Sequence, residues 1–323
     1  MILNIIFILA GFVMLVKGGD WLIDGATSIA QRAKLSPMVI GITILGFGTS
    51  MPELFVSLQA ALANSPGLSI GNIVGSNIAN IALILGATAA ITPCSSSTKT
   101  LKVDMPVMIA ACLLLTAIGM TGTISRIAGI TAVLAIIFYT AWEIKRSRHN
   151  IAQKGTQEPV ETKKNMQTWK AATLCVFSLA LMVTGANILI HGASNIARTI
   201  GETLGTSLED IERIIGLTIV AVGTSLPELS ASVMAARKGQ TDMAVGNIIG
   251  SVIFNILCGI GLSAAICPIT NSDRGFLIDY LLMGALALLL WIFMRSKHTL
   301  DRWEGFFLLA VYLIYLAYTL TGG

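Results

Sequence analysis

The sequence predicts an all-α polytopic membrane protein of ten transmembrane helices, arranged as two inverted five-helix repeats. Three observations lead to this prediction: the apolar composition, the spacing of the apolar stretches, and a motif that occurs twice. Of the 323 residues, 54% are hydrophobic and only 12% are charged, and the mean hydropathy is +0.80. Soluble domains carry about 25% charged residues, so this composition excludes a soluble protein.

Ten apolar stretches are long enough to cross a bilayer, which takes about 17–25 helical residues. The first stretch lacks a preceding basic segment and a small-residue cleavage site, so we expect it to be a span rather than a cleaved signal peptide. The predicted spans cover residues 2–30, 37–62, 68–91, 103–121, 125–144, 170–198, 212–236, 243–266, 276–295 and 303–321.

One long polar segment, residues 145–169, divides the chain into two halves of five spans each, residues 1–144 and 170–323. Its composition is basic, and we interpret it as a solvated linker. Because five is an odd number, the second half must enter the membrane from the opposite side to the first. Related halves of opposite orientation form an inverted repeat, which in transporters places the binding site at mid-membrane.

The basic residues segregate to one side of this ten-span arrangement. Sixteen of the 21 lysines and arginines fall on the side of the linker and four on the other, while Lys17 lies inside a span. Loops on the cytoplasmic side carry the excess of basic residues. We therefore expect the linker to be cytoplasmic and both termini to lie outside.

The duplicated motif recurs with a constant offset of 175 residues. LGFGTSMPELFVSLQAA (45–61) matches VAVGTSLPELSASVMAA (220–236), and GNIVGSNIANIALILG (71–86) matches GNIIGSVIFNILCGIG (246–261). Each copy places one acid, Glu53 or Glu228, inside an apolar run. A carboxylate in a membrane is costly and needs a cation or an interior partner.

A proline precedes each of these acids and predicts a break in the helix. Pro52 and Pro227 lack the N–H that would bond the carbonyl four residues earlier. In lipid, such a carbonyl is tolerated only within protein or beside a polar cavity. The broken turns thus offer carbonyls, hydroxyls and one carboxylate each, which are hard oxygen ligands suited to Na⁺ and Ca²⁺.

The following spans add a serine and an asparagine four residues apart, which share one helix face. They are Ser76 with Asn80, and Ser251 with Asn255. Asn72 and Asn247 also recur, but we interpret them as residues at helix starts. If the inverted halves meet, the two glutamates face one point, and a cation or protons would neutralise them.

These motifs, GTSMPE and GTSLPE followed by the GN-rich segments, resemble the cation/Ca²⁺ antiporter superfamily, specifically prokaryotic Na⁺/Ca²⁺ exchangers. The resemblance implies a multi-pass protein of the prokaryotic cell (inner) membrane. It also implies that Glu53 and Glu228 are the central cation ligands, with Thr49 and Thr224 sharing in Ca²⁺ ligation and Asn80 and Asn255 bordering the middle position. The implied flanking Na⁺ sites use Gly46, Thr49, Ser50, Glu53 and Ser76 on one side, and Ala221, Thr224, Ser225, Glu228 and Ser251 on the other.

The resemblance implies an antiporter that exchanges Na⁺ for Ca²⁺ by alternating access, with spans one and six sliding against the rest. Some relatives, including K⁺-dependent exchangers, carry Asp at the position of Asn255, so this chain offers two central carboxylates and not three. The alternative is a Ca²⁺/H⁺ antiporter using the same glutamates, and a channel is disfavoured. The expected partners are Ca²⁺, Na⁺ or H⁺ and the lipid bilayer, without nucleic acid or an obligatory protein.

Enzymatic chemistry is not indicated. The sequence contains neither Gly-x-Ser-x-Gly nor His-Glu-x-x-His, and its three histidines are dispersed. The five cysteines form no CxxC or Cys/His cluster, which predicts neither a disulfide framework nor a zinc site. We therefore expect no cofactor, only transported Ca²⁺ and Na⁺ as bound ions.

Overall fold

The computed structural model describes residues 2–63, 66–154, 166–203, 221–270 and 277–320, and these residues are almost entirely helical. Four two-residue strands complete the secondary structure: β1 (Cys94–Ser95), β2 (Thr123–Ile124), β3 (Ile269–Thr270) and β4 (Thr299–Leu300). The helices are α1 (Ile2–Ala33), α2 (Pro37–Thr49), α3 (Met51–Leu62), α4 (Pro66–Ile91), α5 (Thr100–Met120), α6 (Arg126–Lys154), α7 (Thr168–Thr203), α8 (Ala221–Thr224), α9 (Leu226–Arg237), α10 (Thr241–Ile266), α11 (Leu277–Lys297) and α12 (Arg302–Leu320).

Seven of the described helices are long and apolar enough to cross a membrane, or eight if α2 and α3 form one broken span with a bend of 46°. The predicted seventh span, residues 212–236, lies partly outside the described residues, and α8 and α9 cover its second part. The predicted tenth span coincides with the 19-residue helix α12. Multiple membrane crossing is thus supported, while the count of ten stays a prediction.

The fifth span differs from its predicted extent, because α6 continues to Lys154, well beyond the expected end at residue 144. The first part of the predicted linker is therefore helical. The Arg146 guanidinium lies 4.0 Å from the carboxylate of Glu143, one turn earlier, which favours continuation of the helix. The rest of the linker, up to residue 165, lies outside the described residues.

Helices α4 and α10 form the centre of the protein. Of the residues in their most apolar windows, 78% and 83% are buried, against 22% in α1. Side chains of α5, α11 and α12 complete the largest apolar cluster around them. The apolar residues of α1 that point away from the protein, such as Ile2, Leu9 and Phe12, are available to lipid.

Helices α1 and α7 pack along each other in opposite directions through a seam of small residues. A Cβ atom on Gly11 would lie 2.4 Å from the carbonyl oxygen of Gly185, so the two backbones are in direct contact. Small residues permit such close approach in membranes. The seam continues at intervals of seven residues, where Gly18 faces Ser178 and Gly25 faces Ala171.

Two short antiparallel ladders join the two halves of the chain. Strand β1 pairs with β4, with Cys94 opposite Leu300, and β2 pairs with β3, with Thr123 opposite Thr270. Each ladder thus contains one strand from before the linker and one from after it. The halves are therefore interlocked and do not form separate bodies.

Candidate cation site

The helix breaks predicted at the two prolines are present and have the same geometry. Ser50 separates α2 from α3 with φ −87° and ψ 8°, and Ser225 separates α8 from α9 with φ −90° and ψ 6°. Pro52 and Pro227 lie at the start of the helices that follow, where a missing N–H costs no helical hydrogen bond. The two copies of the motif thus fold alike.

The two glutamates occupy the first turns of α3 and α9. Glu53 is 1% exposed and Glu228 is fully buried. A helix N-terminus carries a partial positive charge that favours a carboxylate. The breaks therefore place each acid at a helix N-terminus inside the protein instead of in the middle of a continuous helix.

A direct hydrogen bond joins the two motifs. The Ser50 hydroxyl donates to Oε1 of Glu228 over 2.9 Å, so the carboxylate of the second copy lies beside the broken turn of the first. Thr49, also fully buried, donates its hydroxyl to the carbonyl of Leu45 over 2.9 Å and lies 3.4 Å from Oδ1 of Asn247. The structure therefore brings the duplicated segments to one place, as the pattern predicts.

Several oxygen atoms of the two motifs and of the asparagines that follow them are buried and accept no hydrogen bond from the described part of the chain. Buried polar atoms in proteins almost always have a partner. Unpaired carboxylate, hydroxyl and amide oxygens on the duplicated segments therefore favour a cation site. The atoms are Oε1 and Oε2 of Glu53, Oε2 of Glu228, Oγ of Ser225, and Oδ1 of Asn80 and of Asn255.

The two asparagines lie on locally widened helix turns. Asn80 belongs to the π-helical segment Ala79–Leu85 of α4, and Asn255 begins the corresponding segment Asn255–Ile260 of α10. Single π-helical turns occur frequently at functional sites. The amide of Asn255 donates to Oδ1 of Asn77 over 3.1 Å, which leaves its own oxygen available.

The serines of the following spans are also buried. The hydroxyl of Ser251 lies 3.4 Å from the carbonyl oxygen of Gly46, to which it donates, and Ser76 is 5% exposed. Gly46 packs on the backbone of α10, since a Cβ atom there would lie 2.8 Å from the carbonyl carbon of Gly250. A side chain at position 46 would therefore separate this carbonyl from Ser251.

The remaining two predicted residues lie on α8. Thr224 ends this helix and is half-buried. Ala221 begins it, and its side chain lies outside the described part of the structure. The main chain of α8 thus leads directly to Ser225. The contribution of Ala221 to the site stays a prediction.

The interpretation of Asn72 and Asn247 as helix-start residues is wrong. Asn72 donates to the carbonyl of Glu53 over 3.0 Å and to the hydroxyl of Ser57 over 2.8 Å. Asn247 makes the equivalent bonds to Glu228 over 3.4 Å and to Ser232 over 2.9 Å. The signal was present in the sequence, because both asparagines and both serines recur at the offset of 175.

The described residues contain no group of three or more His, Cys, Asp or Glu side chains able to hold a metal ion. The candidate site instead combines two carboxylates with neutral oxygens, a ligand set for Na⁺ or Ca²⁺. All five cysteines are free.

A cavity of about 1220 Å³ lies beside the first broken turn. Gly48 and Met51 contribute to its wall, together with residues of α6, α7 and α10. The lining is almost wholly apolar, as shown by Ile137, Leu179 and Phe254. An apolar wall offers no replacement for the water around an ion, so this cavity is not a route for cations.

Comparison with known proteins agrees with this site. The chain matches the family described as sodium/calcium exchanger protein over residues 3–145 and 170–321. It is 36% identical over 320 residues to the putative antiporter CaxA of Alkalimonas amylolytica, covering 98% of each chain. It is 31% identical to the sodium/calcium exchanger MaX1 of Methanosarcina acetivorans, covering 97% of each.

A solved structure of the sodium-calcium exchanger NCX_Mj has the same fold. It superposes with a TM-score of 0.81 at 31% sequence identity, and the match covers 98% of both chains. The resemblance to the cation/Ca²⁺ antiporter superfamily is thus confirmed over nearly the whole chain. This protein is a multi-pass membrane protein of the sodium/calcium exchanger family.

Proposed function

We propose that this protein exchanges Na⁺ for Ca²⁺ across the membrane by alternating access, with both ions competing for oxygens around Glu53 and Glu228. The proposal rests above all on the buried oxygens that lack hydrogen-bond partners at the junction of the two motifs. Two relatives of the chain, a sodium/calcium exchanger and a putative antiporter, support the same ions and the same mode of transport.

Charge explains how the two fluxes are coupled. Two carboxylates neutralise one Ca²⁺, or they share several Na⁺ ions. In a low-dielectric interior, two carboxylates without a cation repel each other, so an empty charged site is unfavourable. Ca²⁺ and the full set of Na⁺ ions together would carry too much positive charge for two carboxylates, so binding of one kind of ion excludes the other. The site therefore alternates between a Ca²⁺-bound and a Na⁺-bound state during exchange.

The proposed ligands divide into a central group and two flanking groups. Glu53, Glu228, Thr49 and Thr224 surround the central Ca²⁺ position, and Asn80 and Asn255 border the middle. The two flanking Na⁺ positions use Gly46, Thr49, Ser50, Glu53 and Ser76 in one case, and Ala221, Thr224, Ser225, Glu228 and Ser251 in the other. Each glutamate belongs to both kinds of position, which makes the ions compete.

The architecture we infer is two inverted five-helix repeats. The backbone angles of Ser50 and Ser225, which agree within 3°, and the opposite directions of α1 and α7 support it. The charge asymmetry of the sequence supports a cytoplasmic linker and outside termini. In this arrangement α1 and α7 pack closely against each other through small residues. We infer that they move together as a pair and slide against the ligand-bearing helices.

The test is ⁴⁵Ca²⁺ uptake into proteoliposomes under separately imposed gradients of Na⁺, K⁺ and H⁺. We expect an outward Na⁺ gradient to drive uptake, with no requirement for K⁺ because both Asn80 and Asn255 are neutral. Uptake driven by a pH gradient without Na⁺ would favour the Ca²⁺/H⁺ alternative. Uptake at the same rate without any gradient would contradict antiport and favour a channel.

A further inference from the structure

We propose that Lys238, Asp20 and Asp24 form an ion-pair latch that keeps the cytoplasmic half of the transport path closed and opens in each cycle. The latch rests on the proposed antiport function and on the proposed orientation. It concerns no residue of the cation site.

The ammonium group of Lys238 has three acceptors, all on α1. It lies 2.8 Å from Oδ1 of Asp20, 2.6 Å from Oδ1 of Asp24 and 2.6 Å from the carbonyl oxygen of Asp20. Lys238 follows directly on the last residue of α9. A lysine ammonium has three donors, so this geometry satisfies all of them on one neighbouring helix.

The latch ends a longer contact between α1 and α9. The hydroxyl of Ser230 donates to the carbonyl of Leu15 over 2.6 Å. A Cβ atom on Gly19 would lie 2.5 Å from that same hydroxyl oxygen, so the helices are in close contact there. Glu228 lies in the first turn of α9 and Lys238 directly follows its last residue, so α1 contacts this half-helix from Ser230, near the cation site, to its cytoplasmic end.

The described part of the other half contains no equivalent latch. At the offset of 175, Lys238 corresponds to Ala63, and at the offset of 167 that relates the first spans, Asp20 and Asp24 correspond to Asn187 and His191. Within the described residues, α7 is also not packed along α3 as α1 is along α9. The latch therefore acts on the cytoplasmic side, and the equivalent positions of the other copy do not place a lysine opposite two aspartates.

The exposure of the latch suits reversible opening. The side chains of Lys238, Asp20 and Asp24 are 27%, 36% and 42% exposed, so water can solvate each charge as the pairs separate. Exposed ion pairs contribute little individually. Such a contact biases the equilibrium between two states without trapping the protein in one of them.

The test compares Lys238→Gln with the wild type by hydrogen–deuterium exchange of the full chain in detergent. We expect residues 15–33 and 226–240 to lose protection by about fivefold, the effect of an exposed network of pairs. Because opening on one side requires closure on the other, α3 and the end of α7 should gain protection. Lys238→Arg should retain the wild-type pattern.

Lys297→Gln is the matched control. Lys297 forms an ion pair of 2.7 Å with Asp301 on the same side of the protein, but both partners belong to one local turn. We expect it to leave α1, α3, α7 and α9 unchanged. If Lys238→Gln loses protection only at the end of α9, and α3 and α7 gain none, the ion pairs stabilise the structure locally. That result would overturn the latch.

Hydrogen–deuterium exchange is measured without ion transport, so the latch and the antiport function can fail separately. A reciprocal shift in Lys238→Gln together with absence of Na⁺-driven Ca²⁺ uptake in the wild type would preserve the latch and reject the assigned ions. Normal wild-type uptake with no reciprocal shift would reject the latch and preserve the antiport function.

Discussion

Two asparagines and two serines hold the main chain of the glutamates while leaving the carboxylates free. Asn72 bonds both the carbonyl of Glu53 and the hydroxyl of Ser57, and Asn247 does the same for Glu228 and its serine. These bonds fix the first turn of each half-helix without using a carboxylate oxygen. These residues lie outside the proposed ligand set and position its two glutamates.

We expect Asn72→Ala to lower thermal stability and to raise the Ca²⁺ concentration needed for half-maximal transport. The substitution leaves the carbonyl of Glu53 buried without its amide donor, a loss of about 1–3 kcal/mol. Thermal unfolding of the purified protein and ⁴⁵Ca²⁺ uptake measure the two effects. Asn195→Ala, which removes a half-buried asparagine of α7 away from the site, is the control, and identical behaviour of both variants would contradict this role.

At the scale of elements, the break between α2 and α3 turns a membrane span into two helix ends that face the site. The bend is 46°, and Pro52 lies just after it. The first helix ends in carbonyls and the second begins with N–H groups, so one break supplies ligands for a cation and a favourable position for Glu53.

Pro52→Ala should lower Ca²⁺ exchange by about tenfold, which corresponds to the loss of an interaction of roughly 1.4 kcal/mol. Alanine restores the N–H that can bond the carbonyl of Gly48 and so close the break that positions Glu53. Pro106→Ala, near the start of the helical part of α5 that follows its π-helical segment, is a matched change at an unbroken helix. Equal exchange in Pro52→Ala and Pro106→Ala would refute the importance of the break.

The seam between α1 and α7 makes a second prediction at this scale. In Gly11→Val, the new side chain would meet the backbone of Gly185, and overpacking of this kind costs about 1–3 kcal/mol. We expect a lower unfolding temperature and slower exchange. The neighbouring Ala10→Val adds similar bulk to an exposed position and should have neither effect; a loss of stability in both variants would point to helix propensity instead of the seam.

At the scale of the whole molecule, the sequence predicted the features that repetition makes visible. The breaks at Pro52 and Pro227, the burial of Glu53 and Glu228, and the meeting of the two motifs follow from one offset of 175 residues. Composition predicted a membrane protein, because apolar stretches of this length are typical of membrane-spanning helices.

Features that do not repeat, or that depend on contacts between distant helices, escaped prediction. Asn77 corresponds to Val252, so the pattern gave no reason to place it beside Asn255. The contacts of Lys238 with Asp20 and Asp24 connect positions more than 200 residues apart, and the equivalent positions of the other copy are Ala63, Asn187 and His191. The extension of α6 to Lys154 depends on local helix propensity in polar sequence, which a count of apolar residues does not detect.

The orientation of the whole molecule can be tested with reporter fusions. We expect alkaline phosphatase, which is active only outside the cytoplasm, to be active when fused after residue 323 and inactive when inserted between residues 155 and 160. The reason is the excess of basic residues on the side of the linker. The reverse pattern would invert the orientation, and equal activity at both places would contradict the odd number of spans per half.

The central claim is that Glu53 and Glu228, one from each copy of the motif, form a single site where Na⁺ and Ca²⁺ compete. Its most direct test is calorimetric titration of Ca²⁺ into the purified protein at increasing Na⁺ concentration. The control is Glu304→Gln, where the glutamate accepts a hydrogen bond from the Asp301 amide outside the site. We predict one Ca²⁺ per chain, weaker binding as Na⁺ rises, and no binding in either Glu53→Gln or Glu228→Gln. Wild-type affinity in either variant, or Ca²⁺ binding that Na⁺ does not weaken, would contradict the shared site.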